Sequence, residues 1–192
     1  MSQPARTREM TTTGLCAALA LAIALGACSN NDSTAEYERQ LKACSLAEGN
    51  GLLDSAVLAC ETALRIADEQ AYAPERRSSL LFTLGRLERQ RGNFKQAESL
   101  VRRSLAIEES PDGTAALATR LVELSLILAG EDRWVDGAEL LDRATPLLDT
   151  LTGQDRLAAA NAFRGYSLRL EVLGLSAQAA HFRELARQLK ET

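Results

Sequence analysis

Side chains able to do covalent or proton-transfer chemistry are few in this chain of 192 residues: four cysteines, Cys16, Cys28, Cys44 and Cys60, and one histidine, His181. One imidazole leaves histidine-dependent triads, zinc sites and acid–base catalysis almost nothing to work with. His181 stands beside Phe182 in the final apolar-periodic stretch and reads as an ordinary helix residue. There is no glycine-rich phosphate loop and no Gly-x-Ser-x-Gly elbow. The carboxylate pairs Glu108/Glu109 and Glu131/Asp132 fall at element ends with no partner constellation, as solvated faces do. These residues predict a protein that is not an enzyme and holds no metal.

Cys28 raises a different question, because it ends fourteen uncharged residues, Gly14 to Ala27, and is followed at once by the polar "SNNDST". Arg6 and Arg8 precede the run. It is shorter than the roughly 20 residues of a spanning helix and fits the apolar core of an export signal. The tetrad Leu25-Gly26-Ala27-Cys28 resembles the lipobox of bacterial lipoproteins; the plainer alternative is a secretory leader cut after small residues. The resemblance implies that residues 1–27 are removed and that Cys28 becomes the first mature residue, carrying covalent lipid as the chain's only attached group. Ser29, where an aspartate would signal retention in the inner membrane, implies the outer membrane, facing the periplasm. Residues 28–34 would then be a polar lipidated tether, reaching roughly 20 Å if extended. Losing Arg6, Arg8 and Glu9 with the leader takes the net charge from −4 to −5, which disfavours nucleic acid as a partner.

With Cys16 lost and Cys28 acylated, Cys44 and Cys60 remain, each eight residues from Leu52. An antiparallel hairpin turning there sets them level. Two outcomes satisfy the spacing: a disulfide, stabilising by about 3 kcal/mol on a chain-entropy account, or two thiols filling small interior slots.

The elements that would position these residues read as helices. Apolar residues make up 46% and aromatics only 4%, and strand-like alternation of Val, Ile, Thr and Tyr is absent. Small residues recur at a nearly fixed period: Ala56, Ala97, Gly137 and Ala179 stand 41, 40 and 42 residues apart. Cys44, Gly85, Ser125 and Ser167 keep the same intervals, and so, seven residues after the first set, do Ala63, Ser104, Ala144 and Ala186. Closely crossing antiparallel helices need small side chains at their contact. Gly51, Gly92, Asp132 and Gly174 mark the turns between them.

The stretch Ser79 to Glu109 resembles a tetratricopeptide repeat. Leu81 takes the first large slot, Leu84-Gly85 the Leu-Gly slot, Gly92 the turn, Phe94 the aromatic, Ala97 the alanine and Val101 the apolar residue four beyond. Glu88 and Glu109 replace the usual tyrosine and proline. A period near 41 is similar to the longer repeats of kinesin light chains. The resemblance implies an all-α fold, a right-handed solenoid of about four antiparallel helical hairpins at about 35–73, 74–112, 113–152 and 153–192. Local signals agree: Ser33 with Glu36 for a capping box, Pro74 at a first turn, Asn93, Thr114 and Ser176 as N-caps. Pro146, inside the second helix of the third hairpin, predicts a break.

In tetratricopeptide stacks the first helix of each hairpin lines a concave groove for peptides or helices. By that resemblance the groove positions are Leu41, Phe82, Val122 and Arg164, with Ser45, Arg86, Leu126 and Leu168 one turn on. Phe82 with Arg86 and Arg89 has the composition of a protein hot spot, unless Phe82 packs into its own hairpin. The Lys and Asn pattern of the chaperone-type carboxylate clamp does not map onto these positions. Residues 76–103 carry a local +6 and residues 104–155 a local −8, which would steer an acidic partner, order copies head to tail, or simply keep helix faces wet. The expected function is a lipid-anchored scaffold or adaptor that binds a periplasmic protein partner and supports an envelope assembly. The alternative is a regulatory subunit of a neighbouring periplasmic or cell-wall enzyme.

Overall fold

A computed structural model describes residues 14–108 and 114–191, with side chains from residue 32 onward except Glu108. Among the described residues there are eight α-helices and no strand: α1 (Gly14–Gly49), α2 (Leu53–Glu69), α3 (Pro74–Gln90), α4 (Phe94–Glu108), α5 (Ala115–Gly130), α6 (Trp134–Ala144), α7 (Gly153–Val172) and α8 (Ser176–Glu191). A 3-10 segment, Thr145–Thr150, follows α6 and begins one residue before Pro146, where the sequence predicts a break. Helices pair in order, α1 with α2 through α7 with α8, and each pair stacks on the next. The fold is an all-α solenoid of helical hairpins.

The four turns are alike because one hydrogen-bond pattern makes them. Gly51, Gly92, Asp132 and Gly174 all have positive φ, 72°, 81°, 60° and 78°. At each, the amide of that residue donates to the carbonyl three back and the next amide to the carbonyl five back, as in Leu52 to Ala47 and Arg133 to Leu128. This is the Schellman closure of a helix, which needs one left-handed residue. Asp132 tolerates that region because its short side chain bonds locally: Oδ1 accepts from Trp134 Nε1 at 2.7 Å and from Arg169 at 2.9 Å. The carbonyl of the residue after each turn then accepts the first bond of the second helix, so turn and helix start share one residue.

All small slots with described side chains lie inside the stack. Ala56, Ala63, Ala97, Ser104, Ser125, Ala144 and Ala179 are fully buried. A Cβ placed on Gly85 would come within 2.4 Å of Val101 Cγ2. The apolar core forms two clusters that part at the second hairpin: Leu80, Leu84 and Leu87 of α3 pack toward α1 and α2, while Ala97, Val101 and Leu105 of α4 pack toward the later hairpins. Polar groups bridge the seam. Ser104 Oγ donates to the Ser78 carbonyl at 2.8 Å, and the buried Arg120 reaches Ser104 Oγ at 2.6 Å and Ser78 Oγ at 3.1 Å. Buried polar side chains are stable when so satisfied.

Several local expectations need correction. The tether at 28–34 is helical, part of one helix running from Gly14 to Gly49, so Ser33 is not a helix start. Once the stretch around Tyr37 is helical, extending it costs well under 1 kcal/mol for each Ser, Asn or Asp, far less than nucleation. Glu36 accordingly bonds forward, to Arg39 and Gln40. The leader, residues 1–27, and the acylated Cys28 rest on side chains outside the described residues. Among the caps, Thr114 accepts from the Leu117 amide at 3.2 Å, and Pro74 is the first residue of α3. Asn93 precedes α4 but gives its side chain to Glu88, and Ser176 gives its hydroxyl to Glu171.

At the last helix, Glu184 accepts from Arg187 at 2.6 Å and from Gln188 at 2.9 Å, which push its carboxyl down from 4.5 to about 2. A lowered folded value means the staple is intact above the ordinary 4.5 and is lost as pH falls toward about 2. A carboxyl chemical-shift titration is expected to place the Glu184 midpoint near 2; a midpoint at the ordinary 4.5 would mean the α8 staple is absent in solution.

Candidate protein-binding groove

The first helices α1, α3, α5 and α7 lie side by side and line a chain of three hollows. The hollow between α1 and α3, about 420 Å³, is lined by Tyr37, Leu41, Arg76, Ser79, Leu80 and Thr83 among others. A second, about 400 Å³, continues over Ser79, Phe82, Thr83, Thr119 and Arg120 to Asp155. A third, about 160 Å³, runs from Phe82, Arg86 and Arg89 over Val122 and Leu126 to Asp155 and Ala158. Each shares residues with its neighbour, so the surface is continuous.

Leu41, Phe82, Arg86, Arg89 and Val122 therefore all line this surface, but in different roles. Phe82 is half-buried between two guanidinium groups, Arg120 at 5.2 Å and Arg86 at 5.8 Å from its ring centre, and packs on the core of the later hairpins. Val122 is 3% exposed and forms floor. Arg164, in the same register, is exposed on α7 and lines none of the three hollows. Hollows form between adjacent first helices, and α7 is the last of these, so only Asp155 and Ala158 contribute to a wall from it. Cys44 and Cys60 are joined by a disulfide with Cα atoms 5.3 Å apart, tying α1 to α2 beneath the first hollow.

Arg86 and Arg89 are not loose anchors. Arg86 pairs with Glu48 of the first hairpin, and Arg89 Nε donates to Glu123 of the third at 2.6 Å. Arg91 joins the buried Glu88 at 2.8 Å to Asp54 at 2.9 Å, and Arg77 lies 3.6 Å from Asp68. Much of the local positive charge is thus spent stitching the second hairpin to its neighbours. Replacing Arg89 with alanine would leave the 8% exposed Glu123 carboxylate without its cation. Discounting for the partly exposed arginine, the cost is expected to be about 1–2 kcal/mol, recovered in part by Arg89→Ala with Glu123→Gln. Chemical denaturation of the four proteins in the cycle checks this; additive effects would show that the pair does not couple.

Residues the register alone did not single out are Tyr37, Arg76, Ser79 and Thr83. Tyr37 and Tyr72 meet edge to face at 4.9 Å, with Arg76 over both rings. Burial raises the Tyr37 phenol above its ordinary value. Tyr37 lies one helical turn before Leu41 and Ser79 one before Phe82, so extending the groove register by one turn would have found those two; Arg76 and Thr83 lie off that register. Among the described residues, no group of three His, Cys, Asp or Glu side chains is placed to hold a metal, and no helix is long and apolar enough to cross a membrane.

No family model and no curated protein matches the chain. Solved structures do. BtubC (BKLC) from P. vanneervenii superposes with a TM-score of 0.66 at 18% identity, over 77% of this chain and 60% of that one, so the match spans less than two thirds of its length. MamA gives 0.62 at 15% identity, over 81% and 78% of the two chains. A Podosopora anserina putative kinesin light chain with nearly identical TPR-like repeats gives 0.57 at 18%, over 80% and 74%. At these identities what is shared is the fold, and the fold is that of tetratricopeptide-like repeat proteins.

Proposed function

We propose that the chain is a lipid-anchored scaffold of the bacterial envelope, tethered through Cys28 to the outer membrane, which holds a segment of a periplasmic protein along the groove of its first helices. The observation that carries this reading is the unbroken surface from Tyr37 and Leu41 to Asp155, floored by apolar side chains and edged by polar ones. Grooves of that make-up bind protein segments by burying a few apolar anchors while polar groups set register. The disulfide supports an oxidising compartment, since such bonds persist outside the reducing cytosol. Anchoring confines partner and scaffold to one surface and raises their effective concentration.

Thr83 borders the first and second hollows and is partly exposed, so Thr83→Trp would fill the groove without entering the core. Purified from membranes, the wild type is expected to bring down a partner that Thr83→Trp loses at unchanged helicity. Retention of the same partner would contradict groove binding. Intact-mass measurement of the same wild-type material is expected to show an acylated Cys28 as the first residue; an unmodified residue there would remove the anchor from the proposal.

A further inference from the structure

The fourth hairpin departs from the other three at its turn. The two residues before the left-handed turn position read Gly49-Asn50, Gln90-Arg91 and Gly130-Glu131 in the first three hairpins, but Val172-Leu173 in the last. With Leu168 one turn earlier and Leu175 after the turn, they form an apolar patch, exposed by 63%, 76%, 45% and 40% for Leu168, Val172, Leu173 and Leu175. None of the four lines the groove's three hollows. Four large apolar side chains left in water at one place mark an interaction surface rather than scatter.

We propose that this patch is a self-association surface, on which a second copy of the chain packs its own α7 antiparallel about a two-fold axis at Leu168. A two-fold contact requires a self-complementary surface, and α7 has one. With Leu168 on the axis, residues four before it in one copy come level with residues four after it in the other. Arg164 of each copy then falls beside Glu171 and Val172 of the other, giving two cross-copy ion pairs that flank the apolar centre. Both side chains are exposed; Glu171 accepts from Ser176 Oγ at 3.0 Å and pairs with Arg183 at 3.3 Å, an exposed pair that Arg164 of the other copy would join. Gly165, where an added Cβ would meet nothing within 4 Å, lets the two backbones approach at the crossing. The turns share one edge of the solenoid and the chain enters α1 at the other, so an N-terminal tether leaves the patch free.

The test uses the full chain in native membranes. Leu168→Cys, treated with a thiol oxidant, is expected to give a covalent homodimer, with Cys44 and Cys60 already bonded to each other. Leu58→Cys, at a 67% exposed position on α2, serves as the control for random collision. Adding Val172→Lys, which removes an apolar contact and sets a cation beside Arg164 of the other copy, is expected to lower the yield roughly tenfold. A Leu168→Cys yield no greater than that of the control, a yield untouched by Val172→Lys, or cross-linking to a different protein would each overturn the proposal. Sedimentation of the wild type in detergent is an independent check: a dimer that Val172→Lys converts to monomer is expected, and a monomer at all concentrations overturns it.

Discussion

Gly137→Val is expected to destabilise the protein by about 3 kcal/mol, or roughly 6–12 °C in midpoint for a chain of this size. The cause is a single crowded contact. A Cβ on Gly137 would lie 1.8 Å from Tyr166 Oη and 3.2 Å from the Ser125 carbonyl. Tyr166 cannot move away cheaply, because it is buried, meets Trp134 edge to face at 5.1 Å, and donates its hydroxyl to that same carbonyl at 2.5 Å. Burial also holds the phenol well above its ordinary ionisation range. The contact explains why one slot of the series is glycine. In the register of the repeats Tyr166 stands where α3 has Leu84 and α5 has Leu124, and those two pack on hairpins whose corresponding slot is Ala56 or Ala97. The one tyrosine follows the one glycine. Gly137→Ala should therefore destabilise by itself, and Gly137→Ala with Tyr166→Leu should recover most of the loss, because it recreates the pairing of the other hairpins. A double variant no more stable than Gly137→Ala alone, by thermal unfolding, would show that the two residues are not coupled.

Cys44→Ala with Cys60→Ala is expected to cost about 3 kcal/mol, felt almost wholly in the first hairpin. Both cysteines are buried, at 2% and 1% exposure, and alanine fits the small slots they occupy, so the substitution removes the cross-link with little disturbance of packing. A solenoid transmits such a loss only to its neighbours. The first hairpin has one neighbour, joined to it by Arg76 over the Tyr37 and Tyr72 rings, the Arg86–Glu48 pair and a core shared with α3. Hydrogen exchange should thus quicken in α1 and α2 and stay unchanged in α5 to α8. Uniform quickening along the chain would contradict the one-dimensional account, and no change would mean the disulfide does not bear on stability.

Much of the architecture was legible because it rests on residue size at fixed spacing. Small slots at intervals of 40–42, turn residues that accept a left-handed backbone, and Pro74 and Pro146 at helix edges are properties of the chain itself, and the helices follow them. That Leu41, Phe82 and Val122 line the hollows followed from the resemblance to tetratricopeptide stacks, not from spacing alone. What spacing does not carry is which charge meets which. Arg86 and Arg89 look like a basic hot spot when read along α3, but their partners Glu48 and Glu123 lie 38 and 34 residues away on neighbouring helices. The start of α1 was misread for a related reason: "SNNDST" is a poor helix by composition, yet it continues a helix that later residues hold in place.

The central claim is that a protein segment lies along the groove of the first helices. Photo-crosslinking in cells tests it most directly, with a photoreactive residue at Thr83 or Leu41 inside the groove and at Leu58 on the outer face of α2, followed by mass spectrometry of the adducts. The account predicts one dominant adduct from the groove positions and none from Leu58; equal capture at all three, or capture from Leu58 alone, would contradict it.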